Sequence, residues 1–169
     1  MQDHLSSLAA DFHFVPHIVA LMTAYVLALP IGWDREKSER SAGLRTFPLV
    51  AIAACGFVQA AETVIAGNAE ATARIVEGLI TGMGFIGGGA ILVGKNSVRG
   101  TATAASLWAT GAIGTAVGLG AFDIAIVLSI VTFLTLRLMT NLKPEPDEGS
   151  IDKGRKQAEP GSEEDRRSR

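Results

Sequence analysis

Arg74–Gly120 reads RIVEGLITGMGFIGGGAILVGKNSVRGTATAASLWATGAIGTAVGLG. It holds two apolar segments, Ile75–Val93 and Thr101–Gly120. The short basic turn Gly94-Lys95-Asn96-Ser97-Val98-Arg99-Gly100 separates them. The first segment carries one charge, Glu77, near its start, and the second carries none. Segments of about 18 or more mostly apolar residues can cross the hydrocarbon core of a bilayer. The pair is therefore expected to form a transmembrane hairpin, with the rest of the chain as its frame.

The same stretch spells GxGxxG over Gly82-Met83-Gly84-Phe85-Ile86-Gly87. A dinucleotide site needs a strand before that motif, a helix after it and an acid about 20 residues on. The window Ala102–Leu107 holds no acid, and the glycines sit inside an apolar span. Gly78/Gly82, Gly84/Gly88 and Gly114/Gly118 instead make three GxxxG pairs. In lipid, small residues at this spacing let helix backbones approach closely.

Working outward, 48% of the 169 residues are hydrophobic, and the mean hydropathy is +0.31. The middle of the chain is apolar on every face, which suits lipid or a bundle interior. A net charge of -2 with no concentrated basic face gives no footprint for nucleic acid. One cysteine, Cys55, excludes an intrachain disulfide and reads as a small packing residue. The first residues lack a basic n-region, so the first apolar block is expected to be retained as a helix.

These features predict an all-α, polytopic membrane helix bundle of about five spans. Residues 1–14 are a short polar lead and 15–140 the bundle. Residues 141–169, rich in charge, Pro, Gly and Ser, form a tail expected to be disordered. The spans are expected over Val15–Trp33 (with Pro30 to kink or finish it), Thr46 to about Ala66, Ile75–Val93, Thr101–Gly120 and Ala121–Leu138. A dense charged loop follows the first, and a polar turn over Gly67–Arg74 precedes the third. All of the 15 Lys and Arg except Arg74 fall on one side of such a bundle. The positive-inside rule then puts the N-terminus outside and the C-terminus in the cytoplasm.

Chemistry is sparse. Thr46 beside Arg45, and Thr101 near Arg99, each open an inside-to-outside helix. Threonine is a good N-cap, and a helix N-terminus with an Arg attracts anions; setting topology is the simpler role for both arginines. The two turns resemble each other weakly, as two parallel hairpins would. Asp34-Arg35-Glu36 follows the interface residue Trp33. Its carboxylates can pair with an Arg, help hold a hydrated magnesium ion, or simply be solvated. Glu77 lies one turn from Arg74 and reads either as its ion-pair partner or as an ion-pathway residue. Thr103, Ser106 and Trp108 join Thr101 in a polar start to the fourth span, as packing groups or the lining of a small cavity. His4, His13 and His17 are weak evidence for a metal. No nucleophile–base–acid set is present, so neither an enzyme nor a cofactor is expected.

These residues carry a resemblance. Ile31-Gly32-Trp33-Asp34-Arg35-Glu36, Ala42-Gly43-Leu44-Arg45-Thr46, Gly82-Met83-Gly84-Phe85-Ile86-Gly87-Gly88-Gly89, Val98-Arg99-Gly100-Thr101 and Thr103-Ala104-Ala105-Ser106-Leu107-Trp108 keep the order and spacing of the MgtC/SapB family over roughly residues 20–140. The chain resembles the short, membrane-only members of that family. The resemblance implies a bacterial inner membrane and about five spans. It also implies links to growth under magnesium limitation, survival inside host cells and, for some members, restraint of the F-type ATP synthase. Many members carry a soluble cytoplasmic domain where this chain has a short polar tail.

Two functions of different classes follow as expectations. The first is a non-enzymatic regulator that binds a membrane-protein partner, or a second copy of itself, through the GxxxG faces of the third and fourth spans, which bear Gly84, Gly88, Gly114 and Gly118, with the cytoplasmic turns shaping the contact. The second is a transporter or channel for magnesium or another ion. Membrane lipids are partners under both.

Overall fold

The computed structural model describes residues 14–37, 42–94 and 98–141. Helix α1 is Phe14–Lys37, α2 Thr46–Ala60, α3 Glu62–Ile65 and α4 Ala69–Gly89. A two-stranded ribbon follows, β1 Leu92–Val93 and β2 Val98–Arg99. Helices α5, Thr101–Gly118, and α6, Phe122–Asn141, complete the described elements. The helical fold expected from the apolar runs is present. His4, His13, part of the first loop and the tail from 142 onward lie outside the described residues.

Helix α5 is the centre of the bundle. Leu107, Thr110, Ile113, Gly114 and Val117 are all buried. Its polar residues are satisfied locally. The hydroxyls of Ser106, Thr110 and Thr115 donate to the carbonyls of Thr103, Ser106 and Gly111 at 2.8–2.9 Å. A hydroxyl bonded to its own preceding turn can be buried without stranding a donor. Of the polar residues at the start of the fourth span, Thr103 and Ser106 are buried, and Ser106 is satisfied in this way, while Thr101 and Trp108 are exposed.

Glycines set how closely α2 approaches. A Cβ on Gly114 would run into the backbone of Ala51, and one on Gly118 would meet Val58 and the carbonyl of Cys55. Each contact advances by four or more residues along both helices, so α2 and α5 run in the same direction, as the repeated turns require. The Gly114/Gly118 pair thus makes the close contact its spacing allows, but with a helix of the same chain, so the fourth-span face is not open to a partner as expected. Cys55 is buried in this contact.

Helix α1 lays Ala20, Ala24, Ala28 and Ile31 against this core, a stripe at helical spacing. The helix passes through Pro30 and continues to Lys37, so Pro30 does not finish it and Asp34–Lys37 are helical rather than loop. Ser129 of α6 donates to the Leu27 carbonyl of α1 at 2.6 Å, tying the last helix to the first.

Three further boundaries depart from the expectation. The polar turn is short, because Asn68 caps α4 by accepting from the Ala71 N–H at 3.0 Å, and the helix starts at Ala69. The basic turn is flanked by a ribbon in which Leu92 faces Arg99 and Val93 faces Val98. Thr46 and Thr101 are first helical residues, not caps. Gly100 holds the cap position before α5 with φ +87°, and a Cβ there would run into the Ala90 carbonyl. Only glycine takes that turn and that approach without strain.

Helices α1 and α6 are long and apolar enough to cross a membrane, and α2 is a shorter apolar helix. At about 1.5 Å per residue, the 15 residues of α2 cover less than the ~30 Å hydrocarbon thickness. Phe57, Phe85 and Val127 point outward while the interior is equally apolar. That pattern suits a lipid surround.

Candidate functional site

The last turn of α1 meets the first turn of α2 in a compact polar junction. Asp34, Arg35 and Glu36 stand at the end of α1, and Gly43–Arg45 lead into α2. Three apolar turns ending at Ile31 seat this end of α1 in the core. Position 35, four residues beyond Ile31, therefore points inward as well.

Arg35 is 4% exposed. Its Nη2 donates to Asp34 Oδ2 at 2.7 Å, and the Asp34 side chain is itself only 13% exposed. The pair is not the solvated surface group that a charged run implies. Arg35 Nε is buried without a hydrogen-bond partner among the described residues. Such an atom is expensive to keep, at about 1–3 kcal/mol.

Glu36 faces the other way and is exposed, yet it is engaged. Its Oε2 accepts from the Leu44 backbone N–H at 3.1 Å, and any Cβ on Gly43 would collide with its carboxylate. Glu36 thus fastens the turn that aims α2. The start of α2 is closed by backbone bonds from Thr46 and Phe47 to the Gly43 carbonyl. Beyond the junction, Lys37 Nζ lies 5.3 Å from the Trp33 ring centroid, a cation–π distance. Trp33, Asp34 and Lys37 also line a hollow of about 410 Å³ together with Phe133 and Arg137 of α6.

Arg45 is exposed and makes no ion pair among the described residues. With Thr46 it stands at one end of an apolar groove of about 500 Å³ between α2 and α4. Gly78 and Gly82 form part of the α4 wall. This groove leaves little mark in the sequence. Its one legible trace is the absence of side chains at those two glycines.

The remaining candidates are dispersed. Arg99 is exposed in β2 and Thr101 exposed at the start of α5. Trp108 is half-exposed on α5. Glu77 is exposed on α4 and does not pair with Arg74, which turns to Glu70 at 2.8 Å. With the helix starting at Ala69, Glu70 is available one turn before Arg74, and that spacing wins. Among the described residues, nothing beyond their own helix comes within 4 Å of where a Cβ on Gly84 or Gly88 would stand. The α4 contact with α5 is made instead by Gly87 against Ala104 and by Met83 against Gly111.

Among the described residues no group of three or more His, Cys, Asp or Glu could hold a metal ion. The two junction carboxylates already accept from Arg35 and from the Leu44 N–H. A side-chain link across the junction runs from Glu36 to the Leu44 N–H, and the buried Asp34–Arg35 pair lies beside it within α1.

Comparison with known proteins supplies the context. The chain is 38% identical over 116 residues to Protein MgtC of Salmonella typhimurium, covering 69% of this chain and 49% of that one. It is 35% identical over 128 residues to Protein SrpB of Synechococcus elongatus, covering 69% and 70%. It is 33% identical over 131 residues to the putative magnesium transporter YhiD of Escherichia coli, covering 74% and 61%. The chain spans about half the length of the first of these relatives. No solved structure matches. The family model described as the MgtC family matches residues 21–144, a stretch that contains both the junction and the groove. On that match and these identities, the chain belongs to the MgtC family.

Proposed function

We propose that the chain is a multi-pass protein of the bacterial inner membrane and a non-enzymatic regulator of magnesium homeostasis or membrane energetics. It acts by binding another membrane protein, or a second copy of itself, within the bilayer. Five spans, an outside N-terminus and a cytoplasmic C-terminus complete the reading. The asymmetry of the basic residues supports that orientation. A reporter fused after Arg169 is expected to be active only in the cytoplasm, and activity outside the membrane would overturn it.

The observation that carries the reading is the open glycine face of α4. Gly84 and Gly88 meet nothing within 4 Å, and Phe85 between them is 86% exposed. In lipid, such a face buries its backbone against another helix. Gly84→Leu or Gly88→Leu should abolish crosslinking to the partner or the second copy. The fold should be unaffected, since both positions open onto free space. Crosslinking that survives both substitutions would remove the face from the account.

A transporter or channel for magnesium is the second reading. It is favoured by the name of one relative, a putative magnesium transporter. Magnesium is coordinated by oxygen ligands and keeps several waters. Each junction carboxylate already has a protein donor at one of its two oxygens. Under this reading magnesium is cargo, and Glu77, exposed on α4, is the acid to test by Glu77→Gln.

A further inference from the structure

We infer that the groove between α2 and α4 is a binding site for one acyl chain of an anionic phospholipid, whose phosphate is held by Arg45. The groove has an apolar body and a cationic end. Leu49 and Phe57 lie along one wall, Gly78 and Gly82 along the other, and Arg45 with Thr46 marks the end. Its volume of about 500 Å³ lies within the ~300–1,000 Å³ of small-molecule sites.

Depth identifies the occupant. From Arg45 to Phe57 the wall rises about 18 Å at 1.5 Å per residue. Half of the ~30 Å hydrocarbon core is the depth that a chain from one leaflet occupies. An apolar groove of about that length with a cationic end therefore fits a lipid tail entering from the Arg45 side.

Charge identifies the head. Arg45 has no anionic partner among the described residues, and an arginine fork binds phosphate oxygens in pairs. The glycines explain the shape. Among the described residues a Cβ on Gly78 or Gly82 would meet nothing within 4 Å, so the missing side chains create the space and no described residue fills it. At about 100° per residue, the Gly84/Gly88 pair lies about 120° around α4 from Gly78/Gly82. One helix thereby carries two separate faces. The inference rests on the membrane setting alone and does not depend on association through Gly84 and Gly88.

The test is native mass spectrometry of the purified full chain. The detergent is doped with equal amounts of phosphatidylglycerol and phosphatidylcholine of identical acyl chains. The unaltered chain is expected to retain one phosphatidylglycerol in preference to phosphatidylcholine by about fivefold, the effect of one basic side chain near an anionic surface. Arg45→Gln should reduce that ratio to near one while a lipid is still retained. Gly82→Leu should remove retention of either lipid. Equal retention of the two lipids by the unaltered chain would overturn the site. So would Gly82→Leu that retains lipid normally. If Gly82→Leu instead splits a dimer and lipid retention is untouched, the groove belongs to a second copy and the lipid assignment is wrong.

Discussion

Gly114→Leu is expected to prevent folding of most of the protein. The α2 backbone at Ala51 occupies the space that even a single methyl group at this position would need. Neither side can yield cheaply. Ala51 is fully buried within α2, and Gly114 is central to α5, whose neighbours Ile113 and Val117 are also buried. Overpacking a core usually costs about 1–3 kcal/mol. A clash against backbone, where no flexible side chain can swing away, belongs at the upper end of that range or above it. The expected result is a severe loss of monodisperse protein after detergent extraction, and any remaining protein should melt far below the unaltered chain. Gly84→Leu is the matched control. It adds the same side chain to a glycine in open space, and its melting point should move little. Equal melting points for the two variants would mean that α2 and α5 do not meet at Gly114.

The second large effect is expected at Asp34. Asp34→Ala leaves the Arg35 guanidinium buried without the carboxylate that sits 2.7 Å away. Breaking a buried ion pair from one side typically costs about 3–5 kcal/mol, because the remaining charge is stranded. Arg35 already has one unpartnered nitrogen, so it has little reserve. The double variant Asp34→Ala/Arg35→Met removes both charges and keeps an apolar stem of similar length. It should recover a large part of the loss, since replacing both members of a buried pair is often near neutral. Thermal melts of the two single variants and the double variant give the coupling directly. Losses that simply add would show that the two side chains do not depend on each other.

The sequence made much of this architecture readable, for physical reasons that differ from element to element. Helices α1 and α6 were legible because a long apolar run has few alternatives. The close α2–α5 contact was legible in part, because Gly114/Gly118 is the spacing that backbone contact needs. Helix ends were harder. Asp34–Lys37 read as loop because they are charged. They are helical because Arg35 continues the buried stripe after Ile31 and Lys37 lies over Trp33. Asn68 is a good cap residue for α4, but Glu70 and Arg74 give the region the composition of a turn. Thr46 and Thr101 drew attention as caps, but the φ of Gly100 places the cap before α5 one residue earlier.

The site was less legible than the fold. A charged triplet gives no sign of which member is buried, since that depends on where the helix is seated three turns earlier. Arg35 points into the bundle and Glu36, its neighbour, clamps the outside of the turn. Glycine pairs are equally silent about what faces them. Gly114/Gly118 meets another helix of the same chain, whereas Gly84/Gly88 meets nothing. One spacing serves two purposes, and the rest of the fold decides which.

The measurement that bears most directly on the central claim is magnesium flux. The purified chain would be placed in liposomes with a trapped magnesium-sensitive dye, beside protein-free vesicles. A regulator that works by holding a partner predicts the same dye signal in both, with the protein shown to be folded by its melting transition. Magnesium entry above the protein-free rate, abolished by Glu77→Gln, would contradict the account and put Glu77 on a transport path.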